Sequence, residues 1–393
     1  MTFLDLSAHF SRFLRAAPRR CHLAAHSHHF WPDVTFDAQQ TCWTDAARLA
    51  DQKWETILGE LIPAVRRGIA GHLGLPDPAT IAFAPNTHEF LLRILSCLAA
   101  DRPTRILTSD GEFHSFVRQI ARLEEDGLVT VERVPCLPVP SFASRFLERA
   151  RGFGGDLVFM SQVFFDSGAL SLDPQTLVNA IADANTFIVI DGYHGYLARP
   201  TDLSRIADRV FYLAGGYKYA MAGEGVCFMH CPARHGARPR NTGWYASFGA
   251  LSATSGGAVD YATDGTRFAG ATFDPSGLYR MRAVLAWLAA LDLDATQIHA
   301  HAQALGDHLL RRLEPHGLPG LTRDCLITPM SAGRERGNFL AFSHPQSEEN
   351  ERRLLGADIV VDRRRDRLRL GFGCYHTLAA IDAAADRIIA TLQ

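Results

Sequence analysis

Short apolar runs alternate with amphipathic stretches over the first two thirds of the chain. Several runs, such as "TFIVI" and "VFYLA", are continuously apolar, which is typical of strands covered on both faces. Helical patterns occupy the segments between them, so the alternation predicts a three-layer α/β domain with a mostly parallel sheet. The predicted strands are Ile81–Ala84, Arg105–Ser109, Val129–Val134, Asp156–Gln162, Thr186–Asp191, Arg209–Ala214 and Gly225–Cys231. The predicted helices between them are Glu89–Ala99, Ser115–Asp126, Ser141–Arg151 and Pro174–Ala184.

The pattern changes after about residue 275. Two helical stretches, Leu278–Leu291 and Thr296–Leu313, precede the apolar runs "NFLAFS", "ADIVV" and "RLRLGF" and a last helix near Leu378–Leu392. We therefore predict a large domain over residues 21–275 and a smaller α+β domain over residues 276–393. Residues 1–20 are predicted to form a helical arm that packs on the small domain. The arm would pack through Leu4, Leu6, Phe10 and Phe13 or Leu14.

Composition restricts the classes of function. The 393 residues carry a formal net charge of −2, which gives no support to nucleic-acid binding. No apolar run approaches the roughly 20 residues of a membrane span, so we expect no membrane partner. Eight scattered cysteines favour buried thiols in a reducing, cytoplasmic compartment over a disulfide framework. The arginine-rich first twenty residues could also be an organellar presequence, but a packed helix is the preferred interpretation.

Lysine is rare in this chain. Of 40 basic side chains only Lys53 and Lys218 are lysines, and Lys218 lies in "AGGYKYAMAGEG", just after a predicted strand. Lysine can act as a neutral amine nucleophile, whereas guanidinium stays protonated. The preceding strand ends in Asp191, and His194 follows it. Ligands of open α/β sheets bind beyond the carboxyl ends of the strands, so an amine, a carboxylate and an imidazole are predicted to meet there.

Two further features point to the kind of ligand. Asn86 and Thr87 supply N-cap chemistry at the start of an amphipathic helix, whose free N–H groups suit a phosphate. The glycines at 215, 216, 223 and 225 around Lys218 suggest that a ligand approaches the backbone closely. An aldehyde for Lys218, a basic ring nitrogen for Asp191 and a phosphate for the helix together describe pyridoxal 5'-phosphate.

Several motifs then carry a family resemblance. "DGYHG", "AGGYKYAMAGEGVCFMH" and "SDGEFHSF" resemble the Asp-x-x-His, lysine and ring-stacking segments of class V, fold-type-I pyridoxal-phosphate enzymes. "FFDSG", "RFAGATF", "RGNFLAF" and "DRRRDRLRLGFGCYHT" resemble further elements of the same family. The resemblance covers about residues 20–390 and is nearest to the kynureninase-like branch, because Phe113 stands where the desulfurases have histidine. It implies the three-layer fold of type I, with a mostly parallel central sheet and a smaller C-terminal domain.

The resemblance also assigns roles. Lys218 would form the imine with the cofactor and shuttle protons, Asp191 would keep the ring nitrogen protonated, and His194 would bind the phenolic oxygen. The other implied cofactor-binding residues are Phe113, Asn86, Thr87, His88, Asp166, Tyr217 and Thr272. Thr272 is expected to reach the partner's phosphate, which implies a homodimer with shared active sites.

The partner implied is a small-molecule amino-acid substrate, with Arg369 clamping its carboxylate. The neighbouring arginines 363, 364, 365 and 367 compete for that role. Trp244 would contact an aromatic substrate or belong to the core or an interface. His26 and Ser27 are further candidates for substrate contact. A metal site at the N-terminal histidines 22, 26, 28 and 29 is the less favoured interpretation, so we predict no metal.

The resemblance leaves the reaction open. Kynureninase-like hydrolysis of a Cβ–Cγ bond is the first expectation, and a class V aminotransferase or another lyase is the alternative. A desulfurase is disfavoured, because the segment 356–370 before the arginine strand contains no cysteine. A non-catalytic protein of the same fold is disfavoured by the intact set of Lys218, Asp191 and His194.

Overall fold

The computed structural model describes residues 3–99, 101–250, 258–330 and 336–393. Residues 1 and 2 of the predicted arm lie outside this range. The strands are β1 Cys21–His22, β2 Ile81–Ala84, β3 Thr104–Ser109, β4 Val129–Val134, β5 Leu157–Ser161, β6 Phe187–Asp191, β7 Val210–Gly215, β8 Cys227–His230, β9 Phe339–Ser343, β10 Ile359–Val360, β11 Asp362–Arg364 and β12 Arg367–Gly371. The α-helices are α1 Ser11–Ala16, α2 Val34–Leu49, α3 Lys53–Thr56, α4 Ile62–Leu73, α5 Thr87–Leu95, α6 His114–Glu125, α7 Val139–Arg151, α8 Pro174–Ala180, α9 Ser276–Ala290, α10 Ala295–Leu313, α11 Ser347–Gly356 and α12 Leu378–Leu392.

Seven strands form the central sheet in the order β2-β8-β7-β6-β5-β3-β4. The strands from β4 to β7 run parallel, and β8 is antiparallel to both β7 and β2. Strands β5, β7 and β8 are buried along their whole length, as their continuous apolar runs predict. The predicted α/β architecture with a mostly parallel sheet is therefore confirmed.

Helices cover both faces of this sheet. One apolar cluster contains Ile188 and Ile190 of β6, and a second contains Val189, because alternate residues of a strand point to opposite faces. Helix α9 packs against α2 and α4 on the first face. The sequence pattern did not predict α2 or α4.

The C-terminal part carries a three-stranded antiparallel sheet, β11-β12-β9, with α10 and α12 packed on it. Strand β1 pairs in parallel with β10, and Ala24 bridges to Gly371. The residues just after residue 20, which were predicted to begin the large domain, therefore contact the C-terminal strands. In the arm, Phe10 is fully buried against Trp287 and Tyr375.

None of the helices that the structure describes is long and apolar enough to cross a membrane.

Candidate active site

Lys218 lies at the centre of a buried polar group at the carboxyl end of the sheet. It follows β7, is 5% exposed, and places its Nζ 2.6 Å from His194 Nε2. The rings of Tyr193, Phe113 and Tyr217 have their centroids 4.8, 5.6 and 5.8 Å from the same nitrogen. Burial lowers the pKa of Lys218 to about 7, and Asp191 opposes this shift. A neutral amine is therefore available near neutral pH.

Asp191 and His194 come from the end of β6 and the turn after it. The Asp191 carboxylate accepts a hydrogen bond of 2.9 Å from the Tyr193 N–H. Burial raises the pKa of Asp191, while the Tyr193 N–H and Lys218 lower it. Burial also holds the pKa of His194 well below its usual value, so the imidazole is neutral. Its Nδ1 is buried and has no hydrogen-bond partner among the described residues.

A cavity of about 1050 Å³ opens onto this group. It brings together eight of the residues predicted from the sequence: Asn86, Thr87, His88, Phe113, Asp191, His194, Tyr217 and Lys218. These residues come from four separate segments, whose convergence at one sheet edge was predicted.

One end of the cavity is formed by the start of α5. Asn86 caps this helix, since its side-chain oxygen accepts a 3.0 Å hydrogen bond from the Glu89 N–H. Thr87 and His88 begin the helix, and His88 Nδ1 is buried without a partner. Free N–H groups and the positive end of the helix dipole suit a phosphate at this position.

The residues fit pyridoxal phosphate. Lys218 could hold its aldehyde, Asp191 its ring nitrogen, Phe113 one ring face, and the start of α5 its phosphate. The unpartnered Nδ1 atoms of His194 and His88 are buried polar atoms that such a ligand would satisfy. When bound, this cofactor supplies an electron sink that acidifies the Cα–H bond of an attached amino acid.

The glycines around Lys218 have a different role from the predicted one. A Cβ at Gly216 would lie 2.5 Å from the Gly223 carbonyl oxygen, and one at Gly215 would lie 2.1 Å from the Tyr193 hydroxyl. Gly223 has a φ of +73° and packs against Trp31. These three glycines therefore allow the Lys218 segment to pack on neighbouring protein atoms, which corrects the expectation that they make room for a ligand. The fourth, Gly225, has no described protein atom within 4 Å of where its Cβ would lie.

Six predicted residues are not among the described residues that line this cavity: Asp166, Thr272, Trp244, Arg369, His26 and Ser27. Asp166 is paired with Arg367. Thr272 is exposed. Trp244 is 44% exposed and packs on Tyr245 and Phe248. Their assignments to cofactor and substrate stay predictions, and that of Thr272 requires a second copy of the chain.

The arginine strand β12 directs Arg369 towards the site. Arg369 is 2% exposed, donates to the Phe165 carbonyl and pairs with Asp362, while its Nε has no partner. Burial lowers the pKa of Arg369 to about 10. Among its competitors, Arg363 pairs with Glu351. Arg364 pairs with Asp362 and Arg367 with Asp166, and the role of Arg369 as a carboxylate clamp stays a prediction.

The N-terminal histidines do not form one site: His22 and His29 lie against Tyr375, whereas His26 and His28 have other neighbours. His26 is completely buried, its ring stacks on Phe339 at 4.4 Å, and neither ring nitrogen has a hydrogen bond. His28 is 64% exposed and lies beside Glu224 at 3.6 Å. The Ser27 hydroxyl makes a long hydrogen bond of 3.4 Å with the His28 ring, and the Ser27 N–H donates to the Ala24 carbonyl at 2.9 Å. Within the described residues, no group of three or more His, Cys, Asp or Glu side chains is arranged to hold a metal.

Two residues of "RGNFLAF" have structural partners. Arg336 pairs with Asp307 and Gln303 of α10. Asn338 donates to the Ala198 carbonyl at 2.7 Å. Neither is among the residues that line the cavity, so this motif gives no direct support to a kynureninase-like site.

The sequence reasoning missed several residues of the site. Tyr193 lies beneath Lys218, and its hydroxyl is 3.4 Å from Cys227 Sγ. Phe165 and His114 line the cavity and contact each other at 5.1 Å. Glu112 lies behind it, fully enclosed. Tyr193, His114 and Glu112 lie within the motifs that the sequence analysis names. The sequence does not show which way their side chains point, so it did not predict that they belong to the site.

Comparison with known proteins places the chain in a family. The model of the family described as "Aminotransferase class-V" matches residues 44–346. The isopenicillin N epimerase of Streptomyces clavuligerus is 29% identical over 372 residues, which cover 87% of this chain and 88% of that protein.

Solved structures agree on the fold. The cystine C-S lyase C-DES in complex with cysteine persulfide has a TM-score of 0.79 at 17% identity, over 97% of this chain and 100% of that chain. The apo cysteine desulfurase of Thermococcus onnurineus has a TM-score of 0.78 at 15% identity, over 95% of each chain. The cysteine desulfurase CsdA of Escherichia coli has a TM-score of 0.78 at 16% identity, over 98% of each chain.

The family match covers most of the chain and agrees with the site built around Lys218. The resemblance to class V enzymes is thus confirmed, whereas its kynureninase-like branch is not. The chain belongs to the class-V aminotransferase family, and it is an enzyme that depends on pyridoxal phosphate.

Proposed function

We propose that the chain removes the Cα proton of an amino acid with Lys218 as the base, and that a second group delivers a proton to the opposite side of Cα, so that the configuration inverts. One observation carries the first part: the buried Lys218 amine, whose pKa is lowered to about 7 and whose Nζ lies 2.6 Å from His194. A base with a pKa near the working pH transfers protons efficiently in both directions.

The other residues position the reactants. Arg369 holds the substrate carboxylate through its unpartnered Nε, since a guanidinium binds a carboxylate with directed N–H groups. Asp191 keeps the cofactor's ring nitrogen protonated, and neutral His194 accepts a hydrogen bond from Lys218. Phe113 covers one face of the ring.

Epimerisation is the preferred outcome for two reasons. The isopenicillin N epimerase is similar over 87% of this chain. No cysteine is among the described residues that line the cavity, so none of them could accept sulfur from a substrate. Epimerisation also needs a proton donor on the opposite side of Cα from Lys218. We assign this role to His114, which lines the cavity on the wall that carries Phe113.

The test is hydrogen exchange of the loaded enzyme in deuterium oxide, followed by NMR and chiral chromatography on a panel of L-amino acids. We expect loss of the Cα–H signal and appearance of the D-isomer. Lys218→Ala should abolish both, while Lys53→Ala, at the only other lysine, should leave both unchanged. His114→Asn should retain exchange and lose inversion. Exchange without inversion in the parent enzyme would refute epimerisation and leave the proton-removal step standing.

Kynureninase-like hydrolysis is the second candidate. Phe113, Val163 and Phe165 give the cavity an apolar wall that suits an aromatic side chain. Incubation with kynurenine and 3-hydroxykynurenine should then release alanine and the matching anthranilate. Release of neither product would exclude this reaction for those substrates. Formation of pyridoxamine phosphate would favour an aminotransferase instead.

A homodimer is proposed as the working form. Thr272 is exposed and lies outside the described lining of its own cavity, as expected if it completes a partner's phosphate site. Analytical ultracentrifugation should give twice the chain mass, and Thr272→Val should weaken cofactor binding. A monomer that retains full cofactor affinity would refute the shared site.

A further inference from the structure

Glu112 is a carboxylic acid buried without a cation. It is 2% exposed and stands immediately before Phe113, in the loop between β3 and α6. Its Oε1 accepts a 2.5 Å hydrogen bond from the Ser109 hydroxyl. Its Oε2 accepts bonds of 2.9 Å from the Ser161 N–H and 2.6 Å from the Ser161 hydroxyl. No Lys, Arg or His side chain of the described residues forms an ion pair with it.

The position of Glu112 connects it to the cofactor site. Ser109 and Ser161 are the last residues of β3 and β5, which are neighbours in the sheet. Ser161 is the register partner of Asp191 at the end of β6. Glu112 therefore lies behind the cavity, one strand away from the carboxylate that is assigned to the ring nitrogen.

The charges of the two acids are coupled. Burial raises the pKa of Glu112 to about 7, its three donors oppose the rise, and the nearby Asp191 raises it further. Every hydrogen bond that Glu112 makes is one that it accepts, which is the arrangement expected for the ionised form. Burying an unpaired carboxylate is costly, so the presence of Glu112 here indicates that its negative charge has a role at the site.

We propose that Glu112 is a positioning residue of the cofactor site, a second carboxylate that acts through Asp191 to stabilise the protonated, cationic form of the bound cofactor. The inference rests on the assignment of Asp191 to the ring nitrogen under the proposed function. A negative charge behind Asp191 makes it harder for the ring nitrogen paired with Asp191 to lose its proton. It therefore raises the pH at which the bound cofactor deprotonates.

The test is a pH titration of the visible absorbance of the loaded enzyme. Glu112→Gln keeps the shape and removes the charge. We expect the midpoint of the titration to fall by about one pH unit, the lower end of the shift that a neighbouring charge produces. Glu112→Asp should recover most of the midpoint. Glu348→Gln, the same change at a carboxylate that is 80% exposed at the start of α11, should leave it unchanged.

Ser109→Ala provides a second route if Glu112→Gln fails to fold. Loss of the 2.5 Å donor favours the neutral acid, so the midpoint should fall in the same direction by a smaller amount. A midpoint unchanged in both variants would overturn the inference, and so would a rise.

Asp191→Asn separates the two proposals. If this variant changes the absorbance titration while Glu112→Gln does not, the inference about Glu112 fails alone. If Asp191→Asn also leaves the titration unchanged, the assignment of Asp191 fails with it.

Discussion

Acid should destabilise this protein through three histidines that are enclosed around Tyr375. His22 Nδ1 lies 2.6 Å from the Tyr375 hydroxyl, and the His376 ring bonds the His22 carbonyl at 2.8 Å. His29 Nε2 accepts a 3.2 Å hydrogen bond from the Cys374 N–H. Burial lowers the pKa of His22 and His376 to about 3 and that of His29 to about 4.

The sign follows from the proton count. The unfolded chain binds protons at these histidines below its own pKa of about 6.5, whereas the native state stays neutral. Stability is therefore fully present above pH 6.5 and falls as the pH drops towards the native values. At about pH 5.5 each histidine costs about 1.4 kcal/mol, so the three together cost about 4 kcal/mol relative to about pH 8.

Urea unfolding of the loaded enzyme, followed by tryptophan fluorescence at about pH 8 and about pH 5.5, measures this loss. His376→Asn should reduce the loss in the free energy of unfolding by about 1.4 kcal/mol, the contribution of one buried histidine at about pH 5.5. His316→Asn is the matched control, at an exposed histidine whose ring contacts the last residue, Gln393. It should leave the loss in the free energy of unfolding unchanged. Equal stability at the two pH values would refute the argument from burial.

Three further outcomes are expected. Arg369→Gln should raise KM for an amino acid roughly 100-fold, because the substrate loses a charge-assisted hydrogen bond of about 3 kcal/mol, while kcat changes less. Arg363→Gln is the control, and an unchanged KM in Arg369→Gln would assign the carboxylate clamp to another arginine. Gly371→Ala should lower the midpoint of thermal unfolding, because the new Cβ would lie 2.1 Å from His26 Nδ1 and the clash would lower the free energy of unfolding by about 1–3 kcal/mol. An unchanged midpoint would show that the His26 ring can move aside. His194→Leu should lower the pKa of the Lys218 amine slightly further in the cofactor-free protein, because the ammonium loses the acceptor of its hydrogen bond while burial remains the largest cause of the shift. The pH dependence of acylation measures this, and a return to the usual lysine value would refute it.

The central sheet could be predicted because its strands are buried on both faces. The runs "TFIVI" and "VFYLA" need no knowledge of their neighbours to be recognised, and β6 and β7 lie where they were expected. Helices α2 and α4 were not identified, since α2 mixes apolar and polar residues with little separation between its faces.

Part of the candidate site could be predicted because it lies at the ends of these buried strands. Lys218, Asp191 and His194 could be found because polar residues at the ends of buried strands are exceptional, and the sheet brings such ends together. The sequence did not predict the surroundings of Trp244 and Thr272, because both lie outside the strands and no strand end fixes their position.

The sequence by itself determined the α/β class, the residues that meet at the sheet edge and the cofactor that they fit. Each of these depends on local pattern and residue chemistry, which are present in the chain before it folds. Only the tertiary structure decided that Lys218 is fully enclosed beside His194, that the nearby glycines pack against protein, and that Glu112 stands uncompensated behind Asp191. Burial and charge coupling depend on what distant segments place around a group, and the sequence does not contain that information in readable form.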